Sequence, residues 1–207
     1  GASCTSIMVG KDASTDGSVM TSHTCDSWYR TWARWEKAQE HEKGAMQKIY
    51  RGTMHTQDPY DSKGLKEVGE IPQAEYTYAY LNTAYPCLNE KQLAIGETTF
   101  SGPDTLVNPE GMFMIEELER IVLQRCDNAR DAIRLIDELT KEYGYGDGGE
   151  CITIADPNEV WCLEIMGEGK KKKGAIWAAQ RVPDGEVSVS ANIPRIKYLN
   201  REDPDNF

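Results

Sequence analysis

Hydrophobic and polar residues alternate near both ends of the chain, whereas the middle of the chain follows a helical period. Alternation over residues 4–10 and 18–24, separated by turn-forming residues 11–17, predicts a β-hairpin. The same pattern predicts strands over residues 75–82, 92–99, 151–155, 160–166, 175–180 and 187–191. The pattern therefore predicts a sheet-rich domain whose first two strands are neighbours.

Two helices are predicted between these groups of strands. Apolar residues at helical spacing place the first over about residues 112–124. The second begins at a cap formed by Asp127 or Asn128 and ends at Gly144. Strands, then a helix pair, then strands indicate an α+β architecture with stacked sheets and helices on an outer face.

Three segments are less regular. Residues 28–50 are rich in tryptophan and tyrosine and predict a helix or an extended arm, forming either core or the wall of a substrate cleft. Residues 52–72 are polar and rich in Gly, Asp and Pro, which predicts a loop. Residues 201–207 are polar and contain no closing element, so we expect the chain to be the N-terminal part of a longer protein.

Composition excludes several classes of function. The 23 basic and 34 acidic side chains give a net charge of −11, which disfavours a nucleic-acid partner. No apolar run approaches the roughly 20 residues that cross a bilayer, so no membrane insertion is expected. The six cysteines and three histidines lack metal-ligand spacing, and we expect neither a metal nor another cofactor.

One motif is misleading. Gly144, Gly146 and Gly149 satisfy G-x-G-x-x-G, but a dinucleotide site needs a strand before this motif and a helix after it. The predicted order here is the reverse, so the motif is not interpreted as a cofactor site.

Cys4 is the candidate for chemistry. A cysteine at the start of a strand is often a small buried apolar residue. However, only Gly1, Ala2 and Ser3 precede it. If they are removed, its own α-amine, with a pKa near about 8, can accept the thiol proton. One residue would then supply both the nucleophile and the base.

Two other residues are predicted to lie near Cys4. Asp26 ends the second strand of the hairpin, which folds back beside the start of the first, so its carboxylate could hold the α-ammonium. Asn192 follows the last predicted strand, and its amide could donate to an oxyanion.

Several short blocks carry a family resemblance when they are taken in order. They are residues 4–7, 9–11, 13–14, 16–18, 26–27, 88–91, 154–159 with Trp161 and Glu164, 181–185 and 191–192. In sequence and spacing they resemble the dipeptidase A and secernin family. These are cysteine-type N-terminal-nucleophile (Ntn) hydrolases, distantly similar to bile salt hydrolases and penicillin V acylases.

The resemblance implies a four-layer αββα sandwich that hydrolyses dipeptides or other short peptides through a thioester. It implies that Cys4 is the nucleophile and that Asp26 binds its amine. Asn192 would be the oxyanion donor, with help from the backbone near Thr98 and Thr99. The substrate and the C-terminal remainder of the same protein are then the expected partners, and a homo-oligomer is left open.

The sequence departs from the family at one position and leaves another ambiguous. His23 stands where the family usually has arginine, and an unperturbed histidine is mostly neutral at pH 7. The Cys4 thiolate would therefore be less stabilised than it is beside an arginine, unless the carboxylate of Asp26 keeps His23 protonated. The role of His23 is left open. Arg195 could bind a substrate carboxylate, or it could be an ordinary surface arginine.

Alternative functions remain at this point. One is an acylase of other linear amides, of the bile salt or penicillin V type. Another is a non-catalytic, secernin-like interaction protein, since a fold does not guarantee activity.

Residues 1–3 would be a remnant of a propeptide, a signal or a tag, and residues 4–207 the N-terminal portion of an Ntn domain. Autoproteolysis and signal peptidase could each expose Cys4. The small Ser3 slightly favours an exported protein, and with residues 1–3 attached the chain should be an inactive precursor or fragment of an enzyme.

Overall fold

The computed structural model describes residues 3–26, 32–52, 65–100 and 102–207. The strands are β1 (Ser3–Val9), β2 (Met20–Asp26), β3 (Ala33–Glu36), β4 (Gln39–Glu40), β5 (Met46–Arg51), β6 (Lys66–Pro72), β7 (Tyr76–Thr77), β8 (Tyr80–Thr83), β9 (Leu88–Asn89), β10 (Ala94–Thr99), β11 (Glu150–Ala155), β12 (Val160–Gly167), β13 (Ala175–Arg181) and β14 (Val187–Ser190). The helices are α1 (Ile115–Arg125) and α2 (Ala129–Tyr143). The α+β prediction is confirmed.

The first sheet has three antiparallel strands in the order β14-β1-β2. The hairpin of β1 and β2 is therefore confirmed. Ser6 lies between Ser190 of β14 and His23 of β2. Because β1 is central, the start of the chain is flanked by the ends of two strands that are far apart in sequence.

The second sheet has seven antiparallel strands in the order β13-β12-β11-β10-β9-β8-β3. Side chains alternate between its two faces, as the period of two requires. One face packs on the helices through Ile152, Ile154, Trp161, Leu163 and Ile165. The other packs against Met8 of the small sheet through Cys151, Ala155, Val160 and Cys162. The small sheet and the helices thus cover opposite faces of the large sheet.

The second helix begins and ends where its capping residues predict. The side chain of Asn128 accepts a hydrogen bond from the backbone N–H of Asp131, which satisfies one free donor of the first turn. Gly144 ends the helix at φ 96°, a conformation that side chains disfavour. Since α2 precedes Gly144 and β11 follows Gly149, the glycine motif has the order that excludes a dinucleotide fold.

The structure corrects two of the predicted segments and decides between the alternatives for a third. Residues 52–72 are not all loop, because Lys66–Pro72 forms β6 and pairs with β5. Residues 53–64 and the aromatic residues 28–29 lie outside the described ranges. The described part of residues 28–50 is extended rather than helical, and the strand predicted over residues 75–82 is interrupted between β7 and β8.

The polar C-terminal segment also differs from its prediction. Phe207 exchanges two backbone hydrogen bonds with Ala179 of β13, at 2.8 and 2.9 Å. Its ring stacks on Trp161 at a centroid distance of 5.5 Å. Residues 205–207 therefore extend the edge of the large sheet, which the sequence pattern did not predict.

The outward face of the small sheet is apolar and exposed. Ile7 and Val189 are directly paired there, and Val187 lies beside them. Adjacent exposed apolar side chains of this kind are usually covered by another part of a protein. Within the described ranges, neither helix has the length and apolar character needed to cross a bilayer.

Candidate active site

The Cys4 backbone nitrogen is held by Asn192. Its N–H donates to Oδ1 of Asn192 at 2.7 Å, across 188 positions of sequence. The contact follows from the sheet order, since Asn192 comes just after β14 and β14 lies beside β1. Two residues that the sequence predicts to cooperate are therefore in direct contact.

Asn192 has the backbone conformation of a tight turn. Its φ of 49° is left-handed, a region that asparagine tolerates better than most residues. The turn directs its Nδ2 to the carbonyl oxygen of Thr99, at 2.6 Å. The amide thus links β1 to β10, and the second N–H of Nδ2 is the donor left for a ligand.

The Cys4 thiol is held in its protonated form. The side chain is 3% exposed. Burial, followed by the effects of Cys25 and Glu97, raises the pKa of Cys4 to about 12. A thiol with this pKa carries almost no thiolate at neutral pH.

His23 lies next to the site as a neutral side chain. Its ring packs on Gly96 of β10, where a β-carbon would come within 2.7 Å of Nδ1. Burial lowers the pKa of His23, and nearby Glu97 only partly opposes this. His23 therefore does not act as the permanent cation that an arginine would be.

Asp26 is close to the start of the chain through strand register. It pairs with Ser3, one position before Cys4, and its side chain is exposed. The hydrogen bond from the Cys4 nitrogen goes to Asn192 and not to Asp26. The structure thus places Asp26 beside the position that would open if residues 1–3 were removed.

Thr98 and Thr99 point in opposite directions from β10. Thr98 is buried, with its hydroxyl 3.4 Å from that of Ser190. The Thr99 hydroxyl donates to the carboxylate of Glu150 at 3.1 Å and contacts Glu97 at 3.3 Å. Thr98 contacts the last residue of β14, two positions before Asn192, and Thr99 connects the site to buried carboxylates.

Two of these carboxylates were missed by sequence reasoning. Glu97 and Glu150 are 2% and 4% exposed. Burial and the neighbouring Glu97 hold the pKa of Glu150 well above its usual range. The available signal in the sequence was a glutamate within an otherwise apolar strand. A glutamate at the exposed edge of a sheet would give the same pattern.

Cys25 is a second thiol beside the site that sequence reasoning did not select. It pairs directly with Cys4 across the hairpin and is exposed. The Sγ atoms of Cys4 and Cys25 and a carboxylate oxygen of Glu97 all lie within 4.8 Å of one another. The nucleophile candidate therefore has a second thiol and a buried carboxylate as immediate neighbours.

Arg195 is not brought to Cys4. Its guanidinium donates to the hydroxyl of Ser188 and the carbonyl oxygen of Val189. Ser188 is paired with Met8, four positions along β1 from Cys4, or roughly 13 Å at strand spacing. The arrangement matches the surface-arginine interpretation.

Comparison with known proteins identifies the family. The model of peptidase family C69 matches residues 3–207. The chain belongs to peptidase family C69. The predicted resemblance to the dipeptidase A family is thereby confirmed, and both Cys4 and Asn192 lie within the matched part of this C69 chain.

Curated relatives agree with this assignment. A "Probable dipeptidase" of Latilactobacillus sakei is 29% identical over 221 residues, covering 99% of this chain and 42% of the relative. "Dipeptidase A" of Lactobacillus helveticus is 25% identical over 219 residues, covering 99% of this chain and 43% of the relative. A "Dipeptidase" of Bifidobacterium longum is 30% identical over 220 residues, covering 97% and 39%. This C69 chain spans about two fifths of the length of these relatives.

Proposed function

We propose that this chain carries the nucleophile of a cysteine dipeptidase of the Ntn type, and that removal of residues 1–3 activates Cys4. The observation that carries the proposal is the 2.7 Å hydrogen bond from the Cys4 nitrogen to Asn192. The nitrogen that would become the α-amine is already oriented by a side-chain acceptor. The names of the relatives supply the substrate class, short peptides.

The first half of the reaction transfers a proton and forms a thioester. The free α-amine of Cys4 takes the proton of its own thiol. Sγ then attacks the carbonyl carbon of the peptide bond, and the developing oxyanion accepts a hydrogen bond from the free N–H of Asn192 Nδ2. The α-ammonium gives its proton to the leaving amine, and the C–N bond breaks.

The second half hydrolyses the thioester. The α-amine takes a proton from water, and the resulting hydroxide attacks the thioester carbonyl. The carboxylic acid product leaves, and Sγ regains its proton from the α-ammonium. Glu97, which is buried and close to Cys4, stabilises the positive charge of the α-amine while it holds the proton taken from the thiol or from water. Asp26 is positioned to do the same from the solvent side.

The four-layer αββα arrangement is part of the same proposal. The exposed apolar face of the small sheet, with Ile7, Val187 and Val189, is where a further helical layer would pack. In the proposal, that layer belongs to the C-terminal remainder of a longer protein. Hydrogen exchange of that protein should then show protection across β14, and rapid exchange of β14 would argue against the layer.

A Cys4→Ala variant of the full-length protein tests the nucleophile. Turnover of a dipeptide panel should fall by about 10³-fold or more. Cys87→Ala, which removes a thiol outside the site, is the matched control and should retain activity. Undiminished turnover in Cys4→Ala would rule out the mechanism.

Two further measurements test activation and substrate class. Intact mass of the protein from its native source should show Cys4 as the first residue, and an N terminus before Cys4 in an active sample contradicts self-activation. An exported location is part of the proposal if signal peptidase makes this cut. Conjugated bile salts and penicillin V should be poor substrates, and turnover of these alone would identify an acylase instead.

A further inference from the structure

The two cysteines of the hairpin lie in the cross-strand position that favours a covalent bond. Cys4 pairs with Cys25. The Cys4 N–H points to Asn192 on the β14 side of β1, and so away from β2. The pair is therefore a non-hydrogen-bonded one, with α-carbons about 4.5 Å apart. That separation lies inside the range of about 4.4–6.8 Å that disulfides occupy.

The two side chains also point the same way. Cys4 and Cys25 Sγ lie within 4.8 Å of each other, and the two thiols interact by a hydrogen bond. Cys25 is exposed, whereas Cys4 is buried. A small oxidant can reach Cys25 from solvent, and Cys4 is the thiol within its reach.

We propose that Cys4 and Cys25 form a reversible disulfide that masks Cys4, with a peroxide as the oxidant. The consequence for activity rests on the proposed function, but the bond itself does not. The mechanism above uses Cys4 alone and gives Cys25 no role, so the disulfide is a separate inference.

The reaction balances with one equivalent of peroxide. The thiolate of Cys25, or that of Cys4 once its α-amine is free, attacks one oxygen of hydrogen peroxide and the O–O bond breaks. The departing hydroxide takes up the proton that the thiol lost, so a sulfenic acid and one water form. The other thiol then attacks the sulfenic sulfur, the S–O bond breaks, and a second water leaves as the S–S bond forms. Two thiols are oxidised by two electrons, and one peroxide is reduced. A dithiol reductant reverses the step.

The disulfide would also protect the nucleophile. A sulfenic acid with no neighbouring thiol is oxidised further to sulfinic acid, which ordinary reductants do not restore. Capture by Cys25 stops Cys4 at the reversible stage. A Cys25→Ser variant should therefore be active before oxidation but lose its activity permanently afterwards.

Peptide mapping of the full-length protein tests the bond directly. Trypsin places Cys4 in residues 1–11, or 4–11 after processing, and Cys25 in residues 12–30. After treatment with hydrogen peroxide and alkylation of free thiols, these two peptides should appear linked. Their combined mass should be lower by about 2 Da, the two hydrogens lost, and dithiothreitol should separate them. Cys151 and Cys162, whose Sγ atoms are 3.0 Å apart, share residues 142–170 and are therefore scored separately.

Activity measured on the same samples separates the two proposals. Oxidised wild-type protein should lose turnover and regain it with dithiothreitol. Oxidised Cys25→Ser should stay inactive, with a gain of about 32 Da on the Cys4 peptide. Two results would overturn the disulfide. One is the absence of the linked peptide. The other is protection of both thiols from alkylation that is reversed by the chelator EDTA and not by a reductant. A linked peptide with undiminished turnover supports the disulfide and instead refutes Cys4 as the nucleophile.

Discussion

The nitrogen of Cys4 and the side-chain oxygen of Asn192 are 2.7 Å apart, although 188 positions separate the residues in sequence. This contact joins the start of β1 to the turn after β14. It orients the atom that would become the catalytic base, and it leaves one N–H of the same amide for the oxyanion. In the proposed mechanism Asn192 therefore serves two steps, whereas the sequence suggested only oxyanion binding.

Asn192→Gly tests the side chain without disturbing the turn. Glycine accepts the left-handed φ of 49°, so the backbone should be retained. Loss of an oxyanion donor is expected to lower kcat by about 10²–10³-fold. Steady-state kinetics on dipeptides, with thermal unfolding as the check on folding, measure this. A kcat within about threefold of wild type would contradict the assignment.

Glu97→Gln should make the Cys4 thiol more reactive in the unprocessed chain. Burial is the main cause of the raised pKa of Cys4, and Cys25 and the negative charge of Glu97 add to it. Removing that charge favours the thiolate, so alkylation of Cys4 by iodoacetamide should be several times faster at pH 8. Mass spectrometry of residues 1–11 follows the rate.

Glu164→Gln is the matched control for this experiment. Glu164 accepts hydrogen bonds from the backbone N–H groups of Arg195 and Ile196 and lies beside the Cys151–Cys162 pair. The rate of Cys4 alkylation should not change in this variant. Equal rates in wild type and Glu97→Gln would mean that Glu97 does not act on the thiol.

Glu116 should make the stability depend on pH. Burial, with Asp147 nearby, raises the pKa of Glu116 to about 8. In the unfolded chain it titrates near about 4.3, so between these values the folded state binds the extra proton. Its contribution to stability is complete below the unfolded pKa and is lost as pH rises towards 8. Glutamine does not titrate. The free energy of unfolding of Glu116→Gln minus that of wild type should therefore rise by at least about 1 kcal/mol from pH 5 to pH 8.

Urea unfolding at the two pH values measures this difference. Glu138→Gln, an identical substitution at an exposed position of α2, should show no comparable change with pH. A relative stability of Glu116→Gln that is the same at pH 5 and pH 8 would contradict the raised pKa.

Elements whose structure depends on interactions between residues close in sequence were predicted well. The β1–β2 hairpin follows from alternation around a polar turn, and the limits of α2 follow from the cap at Asn128 and the glycine at 144. The strand β6 was missed because Lys66–Pro72 has charges on both faces and only Ile71 fully buried. Its pairing with β5 decides its structure, and pairing of distant segments leaves no local signal.

The amino-acid sequence by itself determined the family, the α+β class and the candidates Cys4, Asp26 and Asn192, because short-range periodicity and ordered motifs are properties of the chain. Only the tertiary structure decided that Asn192 holds the Cys4 nitrogen, that Arg195 lies elsewhere, and that Cys25 and Glu97 surround the thiol. Burial and Coulomb interactions depend on distances in space, and those distances are set by the order of strands in the two sheets. The same thiol is a buried apolar residue or a nucleophile according to the neighbours that the fold gives it.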